Sequence, residues 1–242
     1  MKSLLRSAAI RFGYELRKAP APGYDSLSVF DLALRYMMLR RGEHLTFIEV
    51  GANDGESGDP LRPYIFRYPW RGVLVEPQPD IFIRLTAAYA SLADRVSFEN
   101  MGISDSTTSL TLYRLPPTSP RFSPFASTVV SSNPAVTARQ LHVSTAELEE
   151  IHVPAMTLEK LVEKYQFSEI DILQLDTEGF DFEVLKTLDL RRHRPILIRF
   201  EHGHLSPRVI GESIQHLNNH DYAVYFGGHQ SDSVALRNDF LP

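Results

Sequence analysis

Short apolar runs alternate with amphipathic stretches along most of this chain. The runs Thr46–Val50, Gly72–Val75, Val96–Asn100, Ile170–Leu175 and Ile196–Phe200 read as strands, and several of them are nearly all apolar, the pattern of strands buried on both faces. Helical spacing predicts helices over Ser28–Arg41, where Val29, Leu32, Ala33, Tyr36 and Met37 recur on one side, and over Pro79–Ala90, Thr157–Tyr165 and Phe180–Leu185. Gly42 is placed to stop the first helix. Strands alternating with helices in this way predict a doubly wound α/β domain on a parallel sheet. The end of the chain reads differently. A helix over Arg208–Asn218 is followed by two strands, Tyr222–Phe226 and Ser233–Arg237, with Gly227-Gly228 between them, which predicts a closing antiparallel hairpin. The segment Pro116–Val153 breaks the alternation. It is rich in Pro, Ser and Thr, looks helical around Thr145–Glu150, and reads as a long irregular insertion, a functional lid or a disordered loop.

The first 23 residues stand apart from the domain at 24–242. Lys2, Arg6, Arg11, Arg17 and Lys18 interleave with Leu4, Leu5, Ile10 and Phe12, and a Pro/Gly linker covers Ala19–Gly23. The apolar run is too short and too interrupted for a transmembrane helix or a signal peptide. The plainer reading is a mobile or packed extension; the alternative is a basic amphipathic segment that touches a membrane surface.

Composition narrows the class. With 242 residues and 43% apolar content the chain has enough material for one sizeable core. A net charge of −5 gives no reason to expect a nucleic-acid partner. There is no cysteine, so disulfides, thiolate metal sites and a cysteine nucleophile are excluded, which fits a cytoplasmic location. The sequence holds no Walker-type loop, zinc-finger spacing or Gly-x-Ser-x-Gly elbow.

The candidate chemistry sits at the ends of the predicted strands. The first runs into Gly51-Ala52-Asn53-Asp54-Gly55, a tight turn suited to close backbone approach to a polar cofactor. The second ends in Glu76-Pro77, where a carboxylate can accept both hydroxyls of a ribose. An anionic Asp54 opposes a pyrophosphate and favours a cationic ligand. The fourth strand ends in Asp176-Thr177-Glu178-Gly179, and these acids can act as a base, hold a cofactor amino group, bind a hard metal ion, or simply cap the next helix. The fifth runs into Glu201-His202-Gly203-His204, which offers a histidine base or further metal donors; a solvated loop histidine is an equally good reading of either ring alone.

The blocks FIEVGANDGESGDP, WRGVLVEPQPD, NMGISD, VPAMTLEKL and DILQLDTEGFDFEVL, in that order from Phe47 to about Leu185, resemble the FkbM-type methyltransferases, a branch of the class I S-adenosylmethionine-dependent enzymes. The resemblance implies a Rossmann-like sheet of seven strands in the order 3-2-1-4-5-7-6 with strand 7 antiparallel. It implies S-adenosylmethionine as cofactor, bound by Glu49, Gly51, Asn53, Asp54, Gly55, Glu76, Pro77, Gly102 and Ile103. It also implies O-methylation of a hydroxyl on a small-molecule, sugar or glycan acceptor. His202 or Asp176 is then expected as base, with Glu178 orienting or binding a metal, and residues 116–153 as the acceptor lid. A divalent metal such as Mg²⁺ is the secondary expectation, with Asp176, Glu178, Glu201 and His202 as candidate ligands. The rival readings are a dinucleotide-dependent oxidoreductase, which the missing Gly-x-Gly-x-x-Gly opposes, and a non-catalytic cofactor-binding module. Neither acceptor identity nor oligomeric state is readable.

Overall fold

The computed structural model describes residues 29–105, 108–226 and 232–241. The expected basic extension and linker, and the Gly227-Gly228 turn, lie outside them. A seven-stranded sheet is built from β1 (Thr46–Val50), β2 (Arg71–Val75), β3 (Val96–Glu99), β8 (Ile172–Leu175), β9 (Leu197–Glu201), β10 (Tyr222–Phe226) and β11 (Asp232–Arg237). Its order is β3-β2-β1-β8-β9-β11-β10. All neighbours run parallel except β11, which is antiparallel to both β9 and β10. The numbering differs from the expected 3-2-1-4-5-7-6 because four strands between β3 and β8 build a second sheet of their own. These are β4 (Gly102–Ile103), β5 (Ser109–Arg114), β6 (Val130–Ser131) and β7 (Glu149–Met156), in the order β4-β7-β5-β6.

That second sheet corrects the reading of 116–153 as irregular. The segment contains helices α4 (Pro124–Thr128) and α5 (Pro134–Leu141), strand β6, and the start of β7. The helical look of Thr145–Glu150 comes from a local capping box. Ser144 N donates to Glu147 Oε2 (2.8 Å), but this organises only one 3₁₀ turn before β7 begins. From Glu149 onward, β7 pairs antiparallel with β5 along its length, a strand absent from the sequence reading.

The helices form where capping signals stand. Ser123, Asn133 and Ser206 each precede a proline and cap the helix that follows, with side-chain oxygens accepting from Ala126 N, Ala135 N and Val209 N. Proline at the first helical position has its ring angle already set for the helix and loses no needed N–H. Thr157 caps α6 (Leu158–Tyr165) in the same way, and α8 (Pro207–Asn218) covers the end of the sheet.

Alternate residues of the central strands feed two cores. Ile48, Val50, Val73, Val75, Leu173 and Ile198 pack with α6, α7 (Asp181–Lys186) and α8 on one face. Phe47, Leu74, Ile172, Leu197 and Val234 pack on the other against α1 (Val29–Arg41), α2 (Arg62–Arg67) and α3 (Pro79–Ala88). Glu49, Gln174 and Arg199 break the apolar pattern. They are neighbours in register across β1, β8 and β9 and are buried on the second face.

At the edge of this second core, Phe47 of β1 lies opposite Gly72 of β2. A Cβ on Gly72 would stand 2.2 Å from the Phe47 carbonyl oxygen and 2.6 Å from its ring. Gly72→Ala is therefore expected to cost about 2–4 kcal/mol in urea unfolding, with the denaturant slope unchanged; a loss below about 0.5 kcal/mol would show that the strands part without cost.

Candidate active site

The ends of β1, β2 and β8 meet at a cleft, and the glycine turn after β1 is its centre. Gly51 and Ala52 both donate to the Val75 carbonyl (3.0 Å each), and Asp176 N donates to the Val50 carbonyl (3.0 Å). Gly51 has φ +85, and a Cβ there would lie 1.8 Å from the Asp176 carbonyl oxygen. Glycine is required because β8 passes against it. Gly55 has φ +70, and its missing Cβ makes room for Leu85 and Tyr89 of the neighbouring helix. Its place is thus against the protein and not in the cleft lining. Asp54 also faces its own loop: Oδ1 accepts from Glu56 N (3.0 Å) and Ser57 N (2.8 Å), and Oδ2 accepts from Ser57 Oγ (3.0 Å). Burial raises its proton affinity, but the hydrogen bonds from Ser57 and Glu56 prevail and hold its pKa below the ordinary value. Asp54 organises the turn through these bonds, and its charge reaches the cleft only through its effect on Glu76.

The cleft is lined by Glu49, Gly51, Asn53, Glu76, Pro77, Gly102 and Ile103 of the expected cofactor set, and by Asp176 and Glu178. Glu76 is buried with both oxygens engaged: Oε2 accepts from Asn53 N (3.1 Å) and Oε1 from Gln78 N (2.8 Å). Burial pushes its pKa up to about 8 against the pull of these two bonds. Each carboxylate oxygen keeps a second lone pair for another donor. Asn100, just past β3, donates to the carbonyls of Glu76 (2.9 Å) and Pro77 (3.1 Å) and fixes the end of β2.

Glu49 forms the floor of the cleft. It is held protonated far above the ordinary carboxyl range by burial first, and then by Asp59, to which it hydrogen bonds. Asp59 in turn accepts from Leu61 N (2.7 Å), Arg62 N (2.9 Å) and the Tyr89 hydroxyl (2.6 Å), so the residue that starts α2 also anchors the cleft floor. Sequence reasoning did not single out Asp59. Its signal is the Asp-Pro pair before a helix, a capping pattern inside the FIEVGANDGESGDP block.

At the other end of the cleft the carboxyl groups crowd together. Asp176 is pushed well above its usual range by burial, then by Asp181 and Glu178, with Arg199 opposing. Asp181 is buried, and accepts from Thr177 N (3.2 Å), Thr177 Oγ1 (2.8 Å) and Glu201 N (2.9 Å). Glu201 is raised to about 9 by burial, then by Asp176, Glu178, Asp181 and Asp232.

The histidines separate. His202 Nδ1 lies 2.9 Å from Ser233 Oγ on β11, and the residue is not among the cleft lining. His204 is the one that joins the acids: its Nε2 is 3.2 Å from Glu178 Oε2 and 3.5 Å from Glu201 Oε1. Gln140 of α5 donates to Glu178 Oε2 (2.5 Å) and lies 2.9 Å from His204 Nε2. Of the metal candidates, Glu178 and Glu201 bring donor atoms within 4.8 Å of each other and of His204; Asp176 and His202 are not in that group. Arg139 sits 2.9 Å from His204 Nδ1. A guanidinium and an amide NH2 can only donate, so donors face both ring nitrogens of His204.

The profile of the methyltransferase FkbM domain matches residues 49–224, well over half of the chain. The chain belongs to the FkbM methyltransferase family. A solved FkbM methyltransferase from Methylobacillus flagellatus KT is similar in fold, with a TM-score of 0.51 at 15% identity over 83% of this chain. This chain spans 47% of that one. The METTL16 methyltransferase domain gives a TM-score of 0.49 at 10% identity, covering 86% of this chain and 66% of its own. No curated protein matches the sequence. Among the described residues no helix is long and apolar enough to cross a membrane.

The carboxyl crowd makes the stability of this FkbM-family chain depend on pH. Glu201 has an ordinary value of 4.5 and a folded value of about 9, so between these the fold holds a proton that the unfolded chain releases. Stability contributed by this group is therefore full in acid and falls as pH rises through that window. Glu201→Gln, which cannot ionise, should flatten the decline in melting temperature between pH 6 and pH 9, as read by scanning calorimetry in roughly half-unit steps; an unchanged slope would mean that Glu201 is ionised in the fold.

Proposed function

We propose that the cleft binds S-adenosylmethionine and that the enzyme methylates a hydroxyl of a small-molecule, sugar or glycan acceptor. The observation that carries the cofactor half is the lack of a basic side chain in the lining. Glu49, Asp59, Glu76, Asp176 and Glu178 line the cleft, and among the described residues no Lys, Arg or His does. A dinucleotide's pyrophosphate would find no cation there to pair with, whereas a sulfonium nucleoside carries no phosphate and needs none. The residues fit such a group. Glu76 stands ready for ribose hydroxyls, the Gly51–Asn53 turn offers backbone, and Met101, Ile103 and Leu110 supply an apolar wall for a base. When bound, the cofactor supplies a methyl group already activated by its positive sulfur.

The chain's own part is to position the acceptor, exclude water and take a proton. Thr128, Val130 and Ser132, from the segment expected as a lid, form the wall facing Asp176 and Glu178, and Phe180 closes the corner. Positioning alone can supply a large share of the rate. Asp176 is the group read as base. It lines the cleft, and its burial among acids raises its proton affinity toward that of a useful base near neutral pH. Glu178, steadied by Gln140, orients the acceptor hydroxyl.

Isothermal titration should show S-adenosylmethionine binding that weakens by roughly tenfold or more in Glu76→Ala; unchanged affinity would sink the ribose assignment. NADH should give no saturable fluorescence change. With labelled cofactor and a glycan or lipid extract as acceptor, Asp176→Asn should lower turnover by roughly 10²–10⁴ while keeping cofactor affinity, and His202→Ala should stay near wild type. Full turnover in Asp176→Asn would remove it as base.

A further inference from the structure

We propose that a cavity at the N-terminal edge of the sheet is an anion site for a phosphate-type group, organised around Arg194. The cavity lies where β8 and β9 begin and β11 ends, and is lined by Arg41, Arg192, Arg194 and Arg237 against only two acids, Glu169 and Asp171. The methyl-transfer cleft is at the opposite ends of the same strands, roughly 15 Å away at strand rise. Four guanidinium groups stand around one hollow in a chain of net charge −5, each with an acid within 4 Å.

The two acids do not neutralise the hollow. Asp171 is buried and accepts from Thr46 N (2.7 Å), Thr46 Oγ1 (2.9 Å) and Arg41 Nε (3.3 Å), so it serves the start of β1. Glu169 pairs with Arg41. Arg192 is engaged by Glu159 (3.0 Å), and Arg237 by Asp239 (2.6 Å). Arg194 is different. Its guanidinium makes no hydrogen bond among the described residues, and its closest acid, Asp221, is 3.9 Å away.

The backbone of Arg194 is also held in an uncommon state. Its φ is +25, and it precedes Pro195. L residues avoid positive φ, so such a conformation persists only where the surroundings impose it. Two side chains do so: Arg237 Nη1 donates to the Arg194 carbonyl (2.7 Å), and the Tyr222 hydroxyl donates to the Pro195 carbonyl (2.6 Å). The fold thus uses one cavity arginine to fix the main chain of the next, and the arginine so fixed is the one whose guanidinium makes an ion pair but no hydrogen bond among the described residues. A planar fork of N–H donors over a basic hollow suits a tetrahedral oxyanion. The phosphoryl group can come from a soluble compound or from a phospholipid headgroup.

The test uses the full chain and its Arg194→Gly variant. Glycine accepts positive φ without strain, so the variant should melt no lower than wild type in phosphate-free buffer. Inorganic phosphate should raise the melting temperature of wild type in a saturable way. In Arg194→Gly the affinity should fall by roughly tenfold or more. S-adenosylmethionine affinity should be the same in both, which keeps this result separate from the methyl-transfer reading. In a second arm, vesicles of phosphatidic acid and of phosphatidylcholine are sedimented with each protein. Binding to phosphatidic acid alone that is lost in Arg194→Gly assigns the site to a headgroup, and a response to inorganic phosphate without vesicle binding assigns it to a soluble ligand. Absence of binding in both arms, or equal binding by the two proteins, overturns the proposal.

Discussion

The contact between Gly51 and the Asp176 carbonyl is the constraint on which the site depends. Three strand ends are laced there: β2 through Val75, which receives both Gly51 N and Ala52 N, and β8 through Asp176 N on the Val50 carbonyl. With no side chain at Gly51, β1 and β8 stay paired to their last residues, and the chain can then turn sharply enough for Asn53 N to meet Glu76. The same contact sets Asp176 at the cleft wall. Any side chain at Gly51 would push β1 from β8 and so separate the Glu76 end of the cleft from its more acidic end.

Much of this was legible from the sequence, for physical reasons that also explain what was not. Strands buried on both faces have to be apolar, so β1, β2, β8 and β9 stood out within a residue or two. The second sheet did not. The paired residues of β5 and β7 are half-exposed and carry Thr, His, Pro and Glu, and their pairing spans a connection that no local pattern reveals. The glycine turn was read as a cofactor approach, yet Gly51 and Gly55 are needed where strand and helix crowd them. A glycine motif marks closeness, not what is close.

The histidines show where the strand period stops being a guide. Side chains alternate across a strand, so with Arg199 and Glu201 on the cleft-side face of β9, His202 must point to the other, where it meets Ser233. A turn closed by Leu205 N on the His202 carbonyl (3.0 Å) then brings His204 back to Glu178 and Glu201. His202 and His204 share one parity, so the turn and not the strand period decides between them. The partners that hold it, Arg139 and Gln140, come from α5, about sixty residues upstream, and only the fold could supply them.

Beneath the cleft the protein accepts a polar row where apolar residues would pack more stably. Glu49 Oε2, Gln174 Oε1 and Arg199 Nη1 are buried without a protein partner. Buried polar groups left unpaired are costly, and an all-apolar row across β1, β8 and β9 would avoid that cost. The row has a consequence at the surface of the cleft. Arg199, held by Asp232 (2.6 Å), is the cation that opposes protonation of both Glu49 and Asp176, while every neighbouring acid promotes it. Remove that charge and the carboxyl crowd retains its protons more tightly. The buried arginine is therefore the counterweight to a desolvated acid cluster, and its cost is local to the strands whose ends form the cleft.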